Sequence, residues 1–247
     1  MRFKPNPMKR FLGSIPLMFL VLTSFAQPLP IINVYCLPGV GSDFRLFSEL
    51  NLPEGFVKKE IAYFIPSKET SMCEYARELA VQIDTSMPYV LVGTSLGGML
   101  ATEMADFMNP LKVIIIASAK SCKELPPRYT VQRKLPLYKM VSGKLAKKSA
   151  MFLQPIVEPD RKQNKETFIA MFEDKDPEFI NAAVYMIIHW ERMAYDSSIM
   201  HLHGTKDHTI PIRNVENHLV IQKGSHMMTL TKSEEISICI RNELCVL

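Results

Sequence analysis

Zinc-binding and disulfide-rich folds are the first classes that this sequence excludes, because it has too little of the cysteine pattern that either requires. It contains no Cys-x-x-Cys pair and no cysteine–histidine spacing typical of zinc ligands. Its five cysteines are an odd number, so at least one has no intramolecular partner and a disulfide framework is not expected. Internal repeats and low-complexity tracts are also lacking. The chain is therefore expected to depend on a hydrophobic core.

A surplus of positive charge on the body of the protein is lacking as well. The formal net charge is +4, but Arg2, Lys4, Lys9 and Arg10 supply all of it, since the other 25 basic residues balance 25 acidic ones. No stripe of lysine and arginine offers a docking surface to a phosphate backbone. Nucleic acid is accordingly not expected as a partner.

The N-terminal segment, residues 1–26, has the layout of a secretory signal peptide. An uncharged apolar run follows the basic start, and Ser24 and Ala26 stand at the −3 and −1 positions of a cleavage site. The mature protein is expected to start near Gln27, to be secreted or periplasmic, and to make no stable membrane insertion. An uncleaved anchor is the less favoured alternative, because the run is shorter than the roughly 20 residues that span a bilayer and contains Pro16.

Residues 27–247 carry the pattern of an α/β domain. Hydrophobic residues make up 47% of the chain, and six β-branched apolar runs alternate at first with segments of helical periodicity. The predicted strands are Ile31–Cys36, Lys59–Phe64, Tyr89–Val92, Val113–Ala117, Ile199–His203 and His218–Gln222. The predicted helices between the first four strands are Phe44–Leu50, Ser71–Ile83 and Gly97–Phe107. This alternation predicts a mostly parallel sheet of about six strands with helices on both faces.

The alternation lapses between about residues 121 and 196, where only helical patterns are found. Asp176 is placed to cap a helix that begins at Pro177. An apolar stripe at helical spacing follows, formed by Phe179, Ala183, Met186, Ile187, Trp190 and Met193. We interpret the stretch as a helical cap insert, with the stripe packed in the core. Such an insert could also roof a site at the edge of the sheet.

The run Tyr89 to Met99 contains Gly-x-Ser-x-Gly between an apolar strand and an amphipathic helix. A serine in this setting stands on a sharp strand-to-helix turn with its hydroxyl exposed. Gly93 and Gly97 have a steric reason to flank it, because side chains there would collide with neighbouring backbone. An ordinary connection can also be rich in small residues, but the strand before and the helix after favour a nucleophile, Ser95.

A serine hydroxyl is a weak nucleophile at neutral pH and needs a base to take its proton and a third group to orient that base. Asp207 follows the fifth predicted strand and His226 follows the sixth, which places both in loops at the carboxyl edge of a parallel sheet. Asp43 and Glu124 are alternative carboxylates, but neither follows the fifth strand. The predicted catalytic residues are therefore Ser95, Asp207 and His226.

The other histidines favour structural interpretations. His201 and His203, two apart on a predicted strand, share a face, but no third metal ligand is evident and no metal site is predicted. We expect His203 to pack or hydrogen-bond near the Asp207 loop. His189 and His218 are interpreted as structural.

Four segments, in this order, resemble the α/β-hydrolase fold family. They are Leu37-Pro38-Gly39-Val40-Gly41, Gly93-Thr94-Ser95-Leu96-Gly97-Gly98, His203-Gly204-Thr205-Lys206-Asp207 and Gly224-Ser225-His226. The resemblance spans essentially the whole mature length, and the order of serine, aspartate and histidine is that of the family. It implies an oxyanion hole made by the backbone N–H groups of Val40 and Leu96. Many relatives carry His-Gly where this chain has Pro38-Gly39.

The sequence thus predicts an exported serine hydrolase that cleaves a carboxylic ester by acyl transfer, with a small-molecule substrate and without cofactor or metal. A thioesterase, an amidase or aminopeptidase, and a carbon–carbon bond hydrolase would use the same machinery. A serine where a dehalogenase carries aspartate argues against halide displacement. Methionine and phenylalanine in the insert suggest an apolar acyl pocket, with core packing of the same residues as the alternative. A non-catalytic binding protein on the same scaffold is the alternative from another class, and the oligomeric state stays open.

Overall fold

Parallel strands form the sheet on which the chain is arranged. The computed structural model describes residues 31–67, 69–136, 140, 144–145, 147–149, 152 and 164–246, so the predicted signal peptide lies outside the described residues. The strands within these ranges are β1 (Ile32–Leu37), β2 (Phe56–Glu60), β3 (Tyr89–Thr94), β4 (Lys112–Ile116), β5 (Met200–Gly204) and β6 (Leu219–Ile221). They lie in the order β2-β1-β3-β4-β5-β6, and each neighbouring pair is parallel. The predicted α/β class is confirmed.

Helices cover both faces of the sheet. They are α1 (Met72–Ala80), α2 (Leu96–Met104), α3 (Pro127–Lys134), α4 (Lys165–Glu173), α5 (Pro177–Ile188), α6 (Met228–Thr231) and α7 (Ser233–Leu244). Short 3-10 turns lie at Phe44–Phe47, Cys122–Glu124 and Ile212–Asn214. One apolar core joins the sheet to α1, α2 and α5, and a second joins its other face to α4, α6 and α7. In the part of the chain that the structure describes, no helix has the length and apolar character needed to cross a membrane.

Local chemistry explains where α1 begins. Ser71 caps α1: its hydroxyl accepts the Glu74 N–H at 3.2 Å, and the Glu74 carboxylate accepts the Ser71 N–H at 2.8 Å. Such a reciprocal cap stabilises a helix by about 1 kcal/mol. Helix α2 differs, because all nine of its residues are buried. It is therefore held by packing in the middle of the domain.

The second strand lies earlier in the chain than the sequence pattern predicts. The predicted range was Lys59–Phe64, whereas β2 is Phe56–Glu60. β2 is an edge strand that pairs only with β1, so most of its side chains are exposed and its apolar signal is weak. The following residues are apolar for another reason: Ile61 is buried in the core, and Tyr63 reaches over the sheet edge to Pro38.

The described residues between β4 and β5 contain helices, joined by irregular segments, and no strand, as the sequence indicates. The Asp176 carboxylate accepts the Glu178 N–H at 2.7 Å and caps α5, in agreement with the prediction. Because α5 ends at Ile188, the last two stripe residues lie beyond it. Trp190 is still buried, but Met193 is 56% exposed, so its assignment to the core was wrong.

The order of the strands reverses at β1, which lies between β2 and β3. From β1 the chain adds β2 on one side of the sheet and β3 to β6 on the other. The loops that leave β1 and β3 therefore diverge at the carboxyl edge. Open parallel sheets bind ligands in the crevice that such a reversal leaves. Leu37 at the end of β1 pairs with Gly93 in β3, directly before the Ser95 turn.

Candidate active site

Ser95 occupies a strained turn between β3 and α2. Its backbone has φ 54° and ψ −120°, a conformation that costs a residue with a side chain on the order of 1–3 kcal/mol. A Cβ at Gly97 would lie 1.8 Å from the Leu37 carbonyl oxygen, and one at Gly93 would lie 2.2 Å from the Gly97 oxygen. Glycine is therefore required on both sides of the serine. The Ser118 hydroxyl donates to the Ser95 carbonyl at 2.7 Å and helps to hold the turn.

A line of two hydrogen bonds joins the three residues that the sequence selected. The Ser95 hydroxyl lies 2.8 Å from Nε2 of His226, and Nδ1 of the same ring lies 2.8 Å from Oδ2 of Asp207. Asp207 and His226 are 4% and 8% exposed, whereas Ser95 is more accessible. The loops after β3, β5 and β6 thus bring together side chains that lie up to 131 residues apart.

The second carboxylate oxygen of Asp207 is held by its own loop. Oδ1 accepts the backbone N–H groups of Thr209 and Ile210, each at 2.8 Å. Burial by itself would raise the pKa of Asp207, but the imidazoles of His226 and His203 and the Ile210 N–H outweigh it. The pKa of this carboxyl is lowered, so Asp207 is ionised at neutral pH.

The loop after β1 lies directly against Ser95. A Cβ at Gly39 would be 3.2 Å from the Ser95 Cβ. The loop is fixed from two sides, because the Gly39 N–H donates to the Ser42 hydroxyl at 2.9 Å and the Tyr63 hydroxyl donates to the Pro38 carbonyl at 2.9 Å. A rigid stretch of backbone therefore borders the serine.

Val40 and Leu96 supply free backbone donors at this place. Val40 belongs to the loop after β1, and Leu96 is the first residue of α2, directly after the serine. Among the described residues, neither N–H group has a hydrogen-bond acceptor. Both donors are available to a ligand.

The alternative carboxylates are engaged elsewhere. Asp43 caps the turn Phe44–Phe47 and forms a salt bridge with Arg45 at 2.5 Å. Glu124 is buried and pairs with the Lys120 ammonium at 3.0 Å. Of these carboxylates, Asp207 is the one in contact with His226.

Comparison by sequence finds no relative: no family model matches, and no curated protein does. Comparison by structure finds many. A thermophilic esterase from Thermogutta terrifontis, determined with malate bound, has a TM-score of 0.65 at 17% identity, covering 87% of this chain and 90% of that one. The enol-lactonase of Burkholderia xenovorans LB400 has a TM-score of 0.66 at 11% identity, with coverages of 87% and 92%. A type II thioesterase of the yersiniabactin pathway has a TM-score of 0.56 at 14% identity, with coverages of 86% and 92%.

The chain has the α/β-hydrolase fold. The expectation drawn from the four sequence segments is confirmed at this level. The identities of 11–17% establish the fold alone, so what the site does has to be argued from its own residues.

Within this α/β-hydrolase fold, the helical insert lies against the loop that borders Ser95. The ring of Phe172 in α4 fills the space beside Gly41, where a Cβ would be 2.5 Å from its Cδ2 atom. Arg45 joins the same helix to the body of the domain, through a salt bridge of 2.6 Å to Asp174. The insert thus contacts the same loop that borders Ser95.

The structure also contains polar groups near the site that sequence analysis missed. Tyr63 holds the loop after β1, and Lys120 is buried and contacts His201 at 3.0 Å. His203 was expected near the Asp207 loop and does lie there, with Nε2 at 2.8 Å from the Ile210 carbonyl. A lysine four residues after the end of β4 was the one sequence signal for this cluster.

These histidines do not form a metal site. Within the described ranges, no group of three or more histidine, cysteine, aspartate and glutamate side chains is placed to hold a metal ion. The rings of His201 and His203 hydrogen-bond to each other at 3.0 Å instead.

Proposed function

We propose that the protein is a serine hydrolase that cleaves a carboxylic ester by acyl transfer. The observation that carries the proposal is the unbroken hydrogen-bonded line from Ser95 through His226 to Asp207, which starts at a serine on a strained, glycine-flanked turn. An ionised Asp207 accepts the Nδ1 proton of His226 and so leaves Nε2 free to accept a proton from the serine.

The reaction follows from this geometry. His226 takes the Ser95 proton as the serine oxygen attacks the ester carbonyl, and a tetrahedral intermediate forms with its charge on the former carbonyl oxygen. His226 then gives the proton to the leaving alcohol, which departs as the C–O bond breaks. A water molecule, activated by His226 in the same way, attacks the acyl-serine and releases the carboxylic acid and the free serine.

We assign the oxyanion hole to the N–H groups of Val40 and Leu96. Both belong to backbone next to Ser95, and neither donates to another described residue. Leu96 also opens the nine-residue helix α2, whose N-terminal dipole favours negative charge at the same place. Two backbone donors of this kind stabilise the intermediate because they are already oriented before the charge develops.

The substrate class we propose is a small carboxylic ester. The similar structures are an esterase, an enol-lactonase and a thioesterase, names that denote hydrolysis of esters and thioesters. Esters, thioesters and amides with matched acyl groups should therefore be compared in one panel. We expect the highest kcat/KM for an ester.

Active-site labelling tests the proposal most directly. A fluorophosphonate probe phosphonylates a serine only where the serine is activated, so the full chain should be labelled. Ser95→Ala should abolish labelling and ester hydrolysis, whereas Ser86→Ala, at an exposed serine that bonds Asp84, should retain both. Folded wild-type protein that takes no label and hydrolyses no member of the panel would favour a binding protein on this scaffold.

We also propose that the protein is exported, on the basis of residues 1–26. Expression of the full chain in a host with a secretory pathway should yield mature protein that starts near Gln27, as measured by intact mass and N-terminal sequencing. Recovery of the uncut chain from the cytosol would contradict export without affecting the proposed chemistry.

A further inference from the structure

A chain of buried polar side chains leads away from the Asp207 carboxylate, starting at the oxygen that also contacts His226. Its members are His203 and His201 on β5 and Lys120 after β4, which are 0%, 2% and 1% exposed. The proposed reaction uses none of them. Burying three such groups is costly unless each is hydrogen-bonded, so their arrangement requires an explanation.

The contacts form one continuous line. Nε2 of His203 lies 2.8 Å from the Ile210 carbonyl and 3.5 Å from Oδ2 of Asp207. Nδ1 of His203 lies 3.0 Å from Nε2 of His201, and Nδ1 of His201 lies 3.0 Å from the Lys120 ammonium. Six side chains, from Lys120 to Ser95, are thus connected through the Asp207 carboxylate.

The Asp207 end of this line determines where the His203 proton is. Both neighbours of Nε2, the Ile210 carbonyl and the Asp207 carboxylate, are acceptors, so Nε2 must carry the proton. A neutral His203 then has a bare Nδ1. That nitrogen can only accept, and its donor is the Nε2–H of His201.

The Lys120 end of the line independently requires the same placement of protons on the two rings. An ammonium group can only donate, so Nδ1 of His201 must be bare and its proton must be on Nε2. Lys120 is itself fixed, because it also contacts the Glu124 carboxylate at 3.0 Å and the Glu216 carbonyl at 2.5 Å and lies 4.8 Å from the centre of the Tyr195 ring. Both ends therefore require one and the same pair of tautomers.

This arrangement keeps both rings neutral. A proton on Nδ1 of His201 would face the Lys120 ammonium, and a proton on Nδ1 of His203 would face the Nε2–H of His201. Burial, followed for His201 by the Lys120 charge, lowers the pKa of each ring. The groups that face His201 are Lys120, His203, His218 and the Ser118 carbonyl, and those that face His203 are Asp207, His226, His218 and the Ile210 carbonyl.

We propose that His203 is a positioning residue for Asp207, and that Lys120 holds it through His201 in the tautomer that this task requires. The Nε2–H of His203 donates to the Ile210 carbonyl, and the backbone N–H of Ile210 donates to the Asp207 carboxylate. His203 thereby fixes the loop that orients the carboxylate toward His226. This inference rests on the proposed function, because a positioned Asp207 matters only where His226 acts as a base.

Nitrogen NMR of the full chain labelled in its histidines tests the tautomers without any activity assay. His201 and His203, assigned by substitution, should both be neutral Nε2–H tautomers and should not titrate between about pH 8 and about pH 6, where an unperturbed histidine does. A His203 ring that carries its proton on Nδ1, or either ring titrating in this interval, would overturn the inference.

Three variants test positioning. His203→Phe keeps a ring but removes the donor to the Ile210 carbonyl, so kcat should fall about 10- to 100-fold. KM should change by no more than about twofold, because no substrate contact is lost. His203→Gln restores a donor and should recover most of kcat. His218→Phe is the matched control, since its ring lies 6.1 Å from that of His203 and its buried Nδ1 has no hydrogen-bond partner. It should retain the wild-type kcat.

The two proposals fail in different ways. Wild-type protein without labelling or hydrolysis refutes the hydrolase, whatever the NMR spectra show. An active wild type in which His203→Phe lowers kcat no more than His218→Phe refutes the positioning role and leaves the hydrolase intact. If His203→Phe does not fold, the tautomers of the wild type still decide the question.

Discussion

Nδ1 of His226 lies 2.8 Å from one carboxylate oxygen of Asp207, and the other oxygen of that carboxylate accepts two backbone N–H groups. The carboxylate therefore has no freedom to rotate away from the ring. Because it is ionised and can only accept, it fixes the His226 proton on Nδ1 and points the bare Nε2 at the Ser95 hydroxyl. The tautomer of one residue is thus set by the charge of another.

Replacement of that charge should abolish turnover while leaving the shape intact. In Asp207→Asn the side-chain amide can donate to Nδ1, so His226 is stabilised as the tautomer whose Nε2 carries the proton and cannot take one from Ser95. We expect kcat near neutral pH to fall on the order of 10⁴-fold. Steady-state kinetics with the best ester of the panel measures this.

Asp106→Asn is the control for this change, because Asp106 forms an exposed ion pair with Arg192 at 2.6 Å. It should leave kcat within about twofold of the wild type. A folded Asp207→Asn enzyme that kept a tenth or more of wild-type kcat would show that this carboxylate does not set the tautomer.

The backbone of Ser95 predicts a gain in stability at the expense of function. Its φ of 54° is accessible to glycine but strained for serine or alanine. Both Ser95→Gly and Ser95→Ala lose the hydroxyl, so the comparison between them isolates the backbone term. We expect the free energy of unfolding of Ser95→Gly to exceed that of Ser95→Ala by about 1 kcal/mol. The backbone strain that glycine relieves is larger than the extra conformational entropy that glycine loses on folding. Urea unfolding measures it, and equal stabilities would mean that the turn is not strained.

The neutral histidines predict a loss of stability in mild acid. The pKa of His201 is well below its ordinary value and that of His203 is lowered too, so the unfolded chain binds more protons than the folded one as pH falls below about 6.5. Unfolding is then favoured as pH falls, by up to about 1.4 kcal/mol per pH unit for each ring that stays neutral.

Urea unfolding of the full chain at about pH 7.5 and about pH 5.5 tests this sign. The lowered pKa of Asp207 adds stability above its unfolded value of about 3.9, and that contribution is lost only at lower pH than this interval. Replacement of His201 and His203 by glutamine should weaken the dependence, and the lowered pKa of His218, caused by burial, leaves the remainder. A free energy of unfolding that does not decrease between the two pH values would contradict the assignment of neutral rings.

The sequence was sufficient to predict that the three candidate catalytic residues lie at one edge of the sheet. Ser95, Asp207 and His226 each follow an apolar run, and a parallel sheet brings the ends of such runs to one edge. The six-stranded sheet was predictable for the same reason. The second strand was not placed correctly, because the edge strand Phe56–Glu60 buries little, while the apolar residues after it pack against the core and the insert.

The buried line of Lys120, His201 and His203 could not be predicted from the sequence for a physical reason. Lys120 and His201 are 81 residues apart: Lys120 follows β4, and His201 lies on the adjacent strand β5. A contact of this kind depends on register and side-chain length, and neither produces a periodic pattern along the chain. His203 could be placed near Asp207, since they are neighbours in sequence, but its tautomer required the position of every acceptor around it.

Phe172 predicts how the acyl group is selected. Its ring fills the space beside Gly41, next to Val40, to which we assign half of the oxyanion hole. Phe172→Ala should open this space and favour longer acyl chains, raising kcat/KM for p-nitrophenyl decanoate relative to the butyrate by about 10-fold, since a methylene in an apolar pocket is worth about 1–3 kcal/mol. Met193→Ala, at an exposed methionine of the same insert, should leave the ratio unchanged. A Phe172→Ala enzyme with the wild-type ratio would mean that the acyl chain leaves Ser95 in another direction and that α4 does not line its path.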